Sequence, residues 1–220
     1  MKVSKIQLAL CCTVVSALAV EPTAVLFQND DVKVIRALEK AHVKGNFHEH
    51  KPNRVMVYLG SGKQRFEYQD GRKAQEFDWK PGQVVWSPAE GMHSPEVVSD
   101  EPFNILEVEL KKPGSGKSSA GAKDAVKLDG EHYKLELEND QVRVLRLRLS
   151  AHESTKVVEQ SRNAVLVFLT DQDTKMTDAA GKSQTAKHKA GEAVWAAPGS
   201  MKIENSGGAP LEIIVVEVKS

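Results

Sequence analysis

His48 and His50 stand two residues apart, and His93 follows beyond a proline and a glycine, in the segment 88–93. On a β-strand alternate side chains share a face, so His48 and His50 point one way and Glu49 the other. A third imidazole from another strand would complete a three-nitrogen face. Neutral imidazole ligates divalent transition metals, with Fe, Zn, Mn, Ni and Cu all open as the ion. Three protein ligands leave at least one coordination position free, the arrangement expected of a catalytic rather than a structural metal. The expectation is one metal ion held by His48, His50 and His93.

Those side chains need a β scaffold, and the chain supplies it twice. Segment 29–36 (NDDVKVIR) is matched by 139–146 (NDQVRVLR), 54–59 by 164–169, 82–86 by 191–195, and 105–110 resembles 213–218. Four blocks in the same order at a nearly constant offset indicate an internal duplication. Within the first copy, the runs 32–38, 55–59, 84–86 and 104–110 are rich in Val, Ile and Leu with period-two tendencies. Asn29-Asp30, Asp70-Gly71 and Pro81-Gly82 break them. No segment sustains a capped amphipathic helix. An all-β fold follows, a sandwich or barrel in each half, with jelly-roll closure to manage the edges. The expected organisation is an N-terminal unit over 24–110, a flexible Gly/Ser/Lys linker over 111–126 and a C-terminal unit over 127–220.

The second copy keeps the apolar strands and loses the histidines. By the strand offset, Val158, Gln160 and Ala164 replace His48, His50 and Arg54; aligning the glycine-to-tryptophan block sets Lys202 opposite His93. Valine has no lone pair and protonated lysine only donates, so this copy is expected to hold no metal. Trp86 and Trp195 recur at matching positions and read as core or interface anchors. His42, His132, His152 and His188 have no ligand context. His42 and His152 occupy nearly equivalent places, which suggests a shared structural role.

The spacing of Gly45, His48, His50 and Gly60, followed by Gly82, Pro88 and His93, resembles the two motifs of the cupin family, although Gly91 lies one place later than that pattern prefers. The resemblance covers nearly the whole chain after the N-terminal segment as two cupin units, and so implies tandem jelly-roll barrels, a bicupin. Around Arg54 the phrasing is similar to small uncharacterised cupins, some of them labelled beta-alanine degradation proteins; that label is an association and brings no reaction with it. Cupins include dioxygenases, isomerases, decarboxylases, storage proteins and sugar-binding modules, so the resemblance fixes no activity. Cupins associate through sheet edges and faces, which makes a homo-oligomer an open expectation.

Arg54 is the departure from that pattern. The family's usual glutamate ligand falls at this position, and a guanidinium has no lone pair to offer. The resemblance thus implies three histidines without the glutamate. Directed into the barrel, Arg54 is a fixed cation that could anchor a substrate carboxylate or another anion, with Met56 and Tyr58 on the same strand face lining the pocket. The competing reading pairs Arg54 with Glu90 or Glu96 in a structural role, and either glutamate is also a candidate for the missing carboxylate ligand.

Residues 1–19 read as a secretory signal, with Lys2 and Lys5 ahead of an apolar stretch and Ala17-Leu18-Ala19 as the cleavage site. The stretch is short for a membrane span and is soon followed by Glu21 and Pro22. Export to the periplasm or beyond, without membrane insertion of the mature chain, is the expectation. Both cysteines, Cys11 and Cys12, lie in that signal, which leaves the mature chain neither disulfide nor thiolate chemistry. The whole chain carries 30 basic and 30 acidic residues, a balance that gives no electrostatic case for nucleic acid or an anionic membrane. The expected partner is a small polar or anionic molecule. Three functions stay open: a metal-dependent enzyme of oxygenase, isomerase or hydrolase type, a non-catalytic module that captures a metal or small ligand, and a structural scaffold with a vestigial site.

Overall fold

Apolar runs become central strands, and polar stretches that carry no strong strand signal supply the rest. The computed structural model describes residues 23–117 and 121–220, so the expected signal segment and its cleavage site lie outside the described residues. The first unit holds nine strands: β1 (Thr23–Gln28), β2 (Val32–Glu39), β3 (His48–His50), β4 (Arg54–Tyr58), β5 (Gly62–Tyr68), β6 (Gln75–Trp79), β7 (Val84–Ser87), β8 (Glu90–Val97) and β9 (Phe103–Leu110). A single turn of helix, α1 (Ala125–Leu128), precedes the second set: β10 (Tyr133–Glu138), β11 (Val142–Leu149), β12 (Val158–Gln160), β13 (Ala164–Phe168), β14 (Gln172–Asp178), β15 (Ser183–His188), β16 (Ala193–Ala196), β17 (Gly199–Asn205) and β18 (Leu211–Val218). Each unit is an antiparallel jelly roll of two sheets. The first has the orders β1-β2-β9-β4-β7 and β3-β8-β5-β6; the second repeats them as β10-β11-β18-β13-β16 and β12-β17-β14-β15. The fold is all-β, two tandem jelly-roll barrels.

Strand alternation divides the residues of each five-stranded sheet between two jobs. In the first unit Val32, Val34, Val55, Val57, Leu106 and Val108 face outward from the barrel. They meet Val142, Val144, Val165, Val167, Ile214 and Val216 of the second unit in one continuous core. Trp86 and Trp195 pack against that core from its two sides, as interface anchors. Truncating a buried leucine such as Leu106 to alanine there costs about 2–5 kcal/mol. The intervening residues point into the barrels.

The junction has approximate two-fold symmetry. Gly82 and Gly191 both adopt positive φ (75° and 81°). A Cβ on Gly82 would stand 3.2 Å from the Arg146 guanidinium, and one on Gly191 3.1 Å from that of Arg36. Glycine is therefore required twice over, for the backbone and for the close approach.

The stretch 111–126 is tied down on both sides of residues 118–120. Ser115 and Gly116 donate backbone N–H groups to the carbonyls of Lys219 and Asp140. Asp124 caps α1 by accepting from the Lys127 amide and forms a buried ion pair with Arg143 at 2.7 Å. Its Gly/Ser/Lys composition, read as a flexible linker, thus ends in a polar anchor on the second unit. His42 and His152 share a left-handed backbone (φ 54° and 62°) at the same turn of each unit, the structural role their equivalence suggested.

Candidate metal centre

β3 and β8 pair antiparallel, with His48 opposite His93 and His50 opposite Glu90. Between these pairs β3 has one residue, Glu49, and β8 has two, Gly91 and Met92, so β8 carries a β-bulge. The bulge sets His93 across from His48 with both side chains on the barrel side, a use of bulges common beside functional sites. The three rings converge: centroids of His48 and His50 lie 4.8 Å apart, His48 and His93 4.8 Å, His50 and His93 5.2 Å. One ring nitrogen from each of the three lies within 4.8 Å of those of the other two. The structure brings the three sequence-identified ligands together.

Their tautomers follow from the backbone. His48 Nδ1 lies 2.9 Å from the Asn46 carbonyl and His93 Nδ1 lies 3.0 Å from that of Gly91. A carbonyl only accepts, so in both rings Nδ1 carries the hydrogen and Nε2 keeps its lone pair for the centre. His50 is set the other way. Arg54 Nη1 donates to its Nδ1 at 2.8 Å, which puts the hydrogen on Nε2, directed at His48 Nε2 3.0 Å away. Burial holds His50 well below the ordinary histidine range, at about 3, assisted by the charges of Arg54, His48 and His93. His93 is lowered too, chiefly by burial and against the pull of the Gly91 carbonyl. Both rings are neutral; His93 has its Nε2 lone pair ready, whereas His50 must exchange its hydrogen between nitrogens and give up the bond from Arg54 to ligate through Nε2.

Arg54 enters the barrel on β4 and is held there. Nη1 donates to Glu107 at 2.7 Å as well as to His50, Nη2 donates to Ser87 Oγ at 2.9 Å, and Nε is buried with no partner. The acidic partner is therefore Glu107, not Glu90 or Glu96. Glu90 is engaged by Arg72 at 2.7 Å, and Glu96 falls on the face of β8 opposite His93, across from Arg65. Neither glutamate takes the place of the missing carboxylate ligand.

A carboxylate does reach His50 from elsewhere: Glu107 and Glu109, both on the inner face of β9, form a second convergent group with it. Further in, Glu39 on β2 accepts from Gln64 Nε2 at 3.2 Å, and Gln64 Oε1 accepts from the Trp79 indole at 3.1 Å. Burial raises the Glu39 carboxyl above its usual range, and the neighbouring Glu107 charge adds to the effect. Sequence reading missed Glu39 and Glu107. The available signal was parity: Glu107 alternates in step with the apolar Ile105, which marks it as inward.

Tyr58 stacks on Trp79 with centroids 4.1 Å apart, and with Met56 belongs to the apolar cluster of this barrel. Its hydroxyl is pushed far above the usual range by burial, then by Glu107 and Glu39, so it acts here as neutral lining. Phe66 approaches His93 at 5.8 Å.

The second barrel shows what the fold does without this chemistry. Pairing registers place Leu149 at the position of Glu39, Ala164 at Arg54, Phe168 at Tyr58 and Val215 at Glu107. Val158 faces Met201 and Gln160 faces Gly199 without a bulge. Met201, rather than Lys202, therefore stands where His93 stands, because β17 lacks the extra residue that β8 carries. This interior is an apolar core, and Gln160 spends its amide on the carbonyls of Arg162 and Ala197. Among the described residues, both convergent groups of metal-capable side chains lie in the first unit.

No family model matches this sequence, and no curated protein matches it. Solved structures do resemble it. AerE from Microcystis aeruginosa is 12% identical, with a TM-score of 0.65 over 92% of this chain and 95% of its own. An oxalate decarboxylase from Bacillus subtilis, described for its Mn(II) centres, is 12% identical, with a TM-score of 0.60 over 89% of this chain and 71% of its own. The fold is a bicupin. A Cupin 2 conserved barrel domain protein from Leptotrichia buccalis agrees, at 13% identity and a TM-score of 0.55 over 90% and 88% of the two chains. At such identities the likeness is one of fold, so what this protein does must be argued from its own side chains.

Proposed function

We propose that this bicupin is an exported protein that holds one divalent transition metal in its N-terminal barrel through His48, His50 and His93, and uses it on a small polar or anionic molecule. The observation that carries the reading is the convergence of three imidazoles, two of them with Nε2 lone pairs preset by backbone carbonyls. The donor set fits a borderline ion such as iron, zinc, manganese, nickel or copper. A bound metal with open positions supplies Lewis acidity or oxygen activation at this site.

The protein's own groups have distinct parts in this reading. Arg54, clamped by Glu107 and Ser87, holds the His50 ring in place. Its Nε is the one nitrogen without a partner, and the point where an anionic ligand could bond to it. Glu39 is a carboxyl whose affinity for a proton is raised by burial and by the Glu107 charge, which makes it the group we assign to deliver or receive a proton. Tyr58, Trp79 and Phe66 form the apolar walls. The beta-alanine association contributes no step, and export rests on the N-terminal sequence alone.

A non-catalytic metal- or ligand-binding module is the second reading, and one observation favours it. The guanidinium of Arg54 places a positive charge against a ligand ring where the cupin pattern has a carboxylate. Metal analysis of the purified mature protein tests the shared premise. One equivalent is expected, lost in His48→Ala and in His93→Ala and kept in Met201→Ala and Lys202→Ala. Less than about a tenth of an equivalent after reconstitution with each candidate ion would sink both readings. Proton handling is tested by Glu39→Gln, which should leave metal content intact and abolish whatever turnover substrate screening finds; undiminished turnover would leave Glu39 structural.

A further inference from the structure

The two-fold relation between the units sets a guanidinium on each side of the junction, and their surroundings differ. Every nitrogen of Arg146 has a partner: Nε donates to Glu136 at 2.6 Å, Nη1 to Glu212, and Nη2 to the Gly82 carbonyl at 2.6 Å. Glu212 is shared with Arg148 at 3.0 Å. Arg36 is its counterpart, and strand registers fix the equivalent partners. Leu26, at the bulge of β1, takes the place of Glu136 at the bulge of β10; Asn104 takes that of Glu212, and Leu38 that of Arg148. A cluster of two cations and two anions in one unit has become a single cation in the other.

No acidic side chain among the described residues pairs with Arg36. Among the described residues no side-chain hydrogen bond or ion pair reaches its guanidinium, and Nε is buried without a partner. Beside it, Asn104 Oδ1 is likewise buried and unpaired. Both line a cavity of about 290 Å³ between the units, with Leu59, Leu169, Thr170 and Gly191 among its other walls. The one carboxylate in that lining, Glu212, is already committed to Arg146 and Arg148. A buried donor and acceptor left unmade are costly, so their joint appearance in one cavity calls for an occupant that satisfies both.

We propose that this inter-unit cleft binds a small carboxylate bearing a hydroxyl or amino group, its carboxylate on Arg36 and its donor on Asn104. The planar guanidinium fork suits a carboxylate, the same group that Glu136 and Glu212 present to Arg146. The site is separate from the histidine centre. Arg36 shares a strand face with Val34 of the inter-unit core, whereas Glu39 on the same strand turns into the barrel.

Calorimetric titration of the full-length mature protein at low ionic strength tests the idea with three probes: lactate, propionate and inorganic phosphate. Saturable lactate binding is expected, weaker for propionate, which lacks the hydroxyl, and weaker still for phosphate. Arg36→Met should weaken lactate at least about tenfold, the loss of one charge-assisted contact. The His48→Ala/His93→Ala protein should bind it as the parent does, which keeps this test independent of the metal reading. A Leu26→Glu/Asn104→Glu protein installs the carboxylates of the other unit; it should remain folded, melt at or above the parental temperature, and no longer bind lactate. Absence of saturable lactate binding, or retention in either Arg36→Met or the double-glutamate protein, overturns the site. Phosphate binding tighter than lactate overturns the carboxylate assignment, and equal affinity for propionate removes Asn104 from it.

Discussion

Replacing both members of the Arg54–Glu107 pair by apolar side chains should cost less than replacing either alone. The two groups meet at 2.7 Å with side chains only 5% and 12% exposed. With charge centres about 4 Å apart and an effective dielectric near 20, their attraction is about 4 kcal/mol. Most of that offsets the desolvation of the pair, so its net contribution to stability is small. Removing one partner is different, because it strands a buried charge: Arg54→Met or Glu107→Leu should each destabilise by about 3–5 kcal/mol. The double variant removes both charges at nearly constant volume. It should lie within about 2 kcal/mol of the parent, a coupling energy of at least about 4 kcal/mol by the double-mutant cycle. The second barrel is the precedent, since Ala164 and Val215 occupy these positions in a folded apolar interior. Urea unfolding of the four proteins measures the cycle, and melting temperatures should follow at about 2–4 °C per kcal/mol. If the double variant loses the sum of the single losses, the two side chains are not energetically coupled and the clamp on His50 is not what the geometry implies.

Three further outcomes are expected. Arg54→Met should raise metal affinity at least about tenfold by removing a cation from the ring of His50 and freeing its Nδ1; competition with a chromophoric chelator reads this, and weaker binding would show that Arg54 supports the site. His50 and His93 have folded-state pKa values below the unfolded value, so neither affects stability well above pH 6.5. Below it the unfolded chain takes up protons that the folded chain refuses, and metal-free stability should fall until His50 titrates at about 3. The slope per ring approaches 1.4 kcal/mol per pH unit only as a ceiling, reduced by solvent screening of a half-buried side chain. In His50→Gln the acid-side slope should be shallower, and an unchanged profile would remove His50 as its source. Finally, Val158→His/Gln160→His/Met201→His should bind metal at least about tenfold more weakly than the first barrel, because β17 lacks the bulge that sets the third ring. Equal affinity, read by the same competition, would show that three imidazoles suffice without the bulge.

Local rules carried part of this protein. Alternation along a strand was enough to put His48 and His50 on one face, and repeated blocks were enough to see two β units with the ligand positions filled in only one. Both depend on residues close in sequence or on whole segments compared with each other. Relations across strands needed the tertiary structure. Glu107 lies far along the chain from Arg54, and only the pairing of β4 with β9 shows that they share the barrel interior. The bulge at Gly91 and Met92 decides that Met201 replaces His93, since one extra residue shifts every later partner by one. The inter-unit cleft is the extreme case. Near Arg36 in sequence the telling change is Leu38 in place of Arg148, but the difference between a satisfied guanidinium and a bare one arises from Leu26 and Asn104, brought beside it by two neighbouring strands.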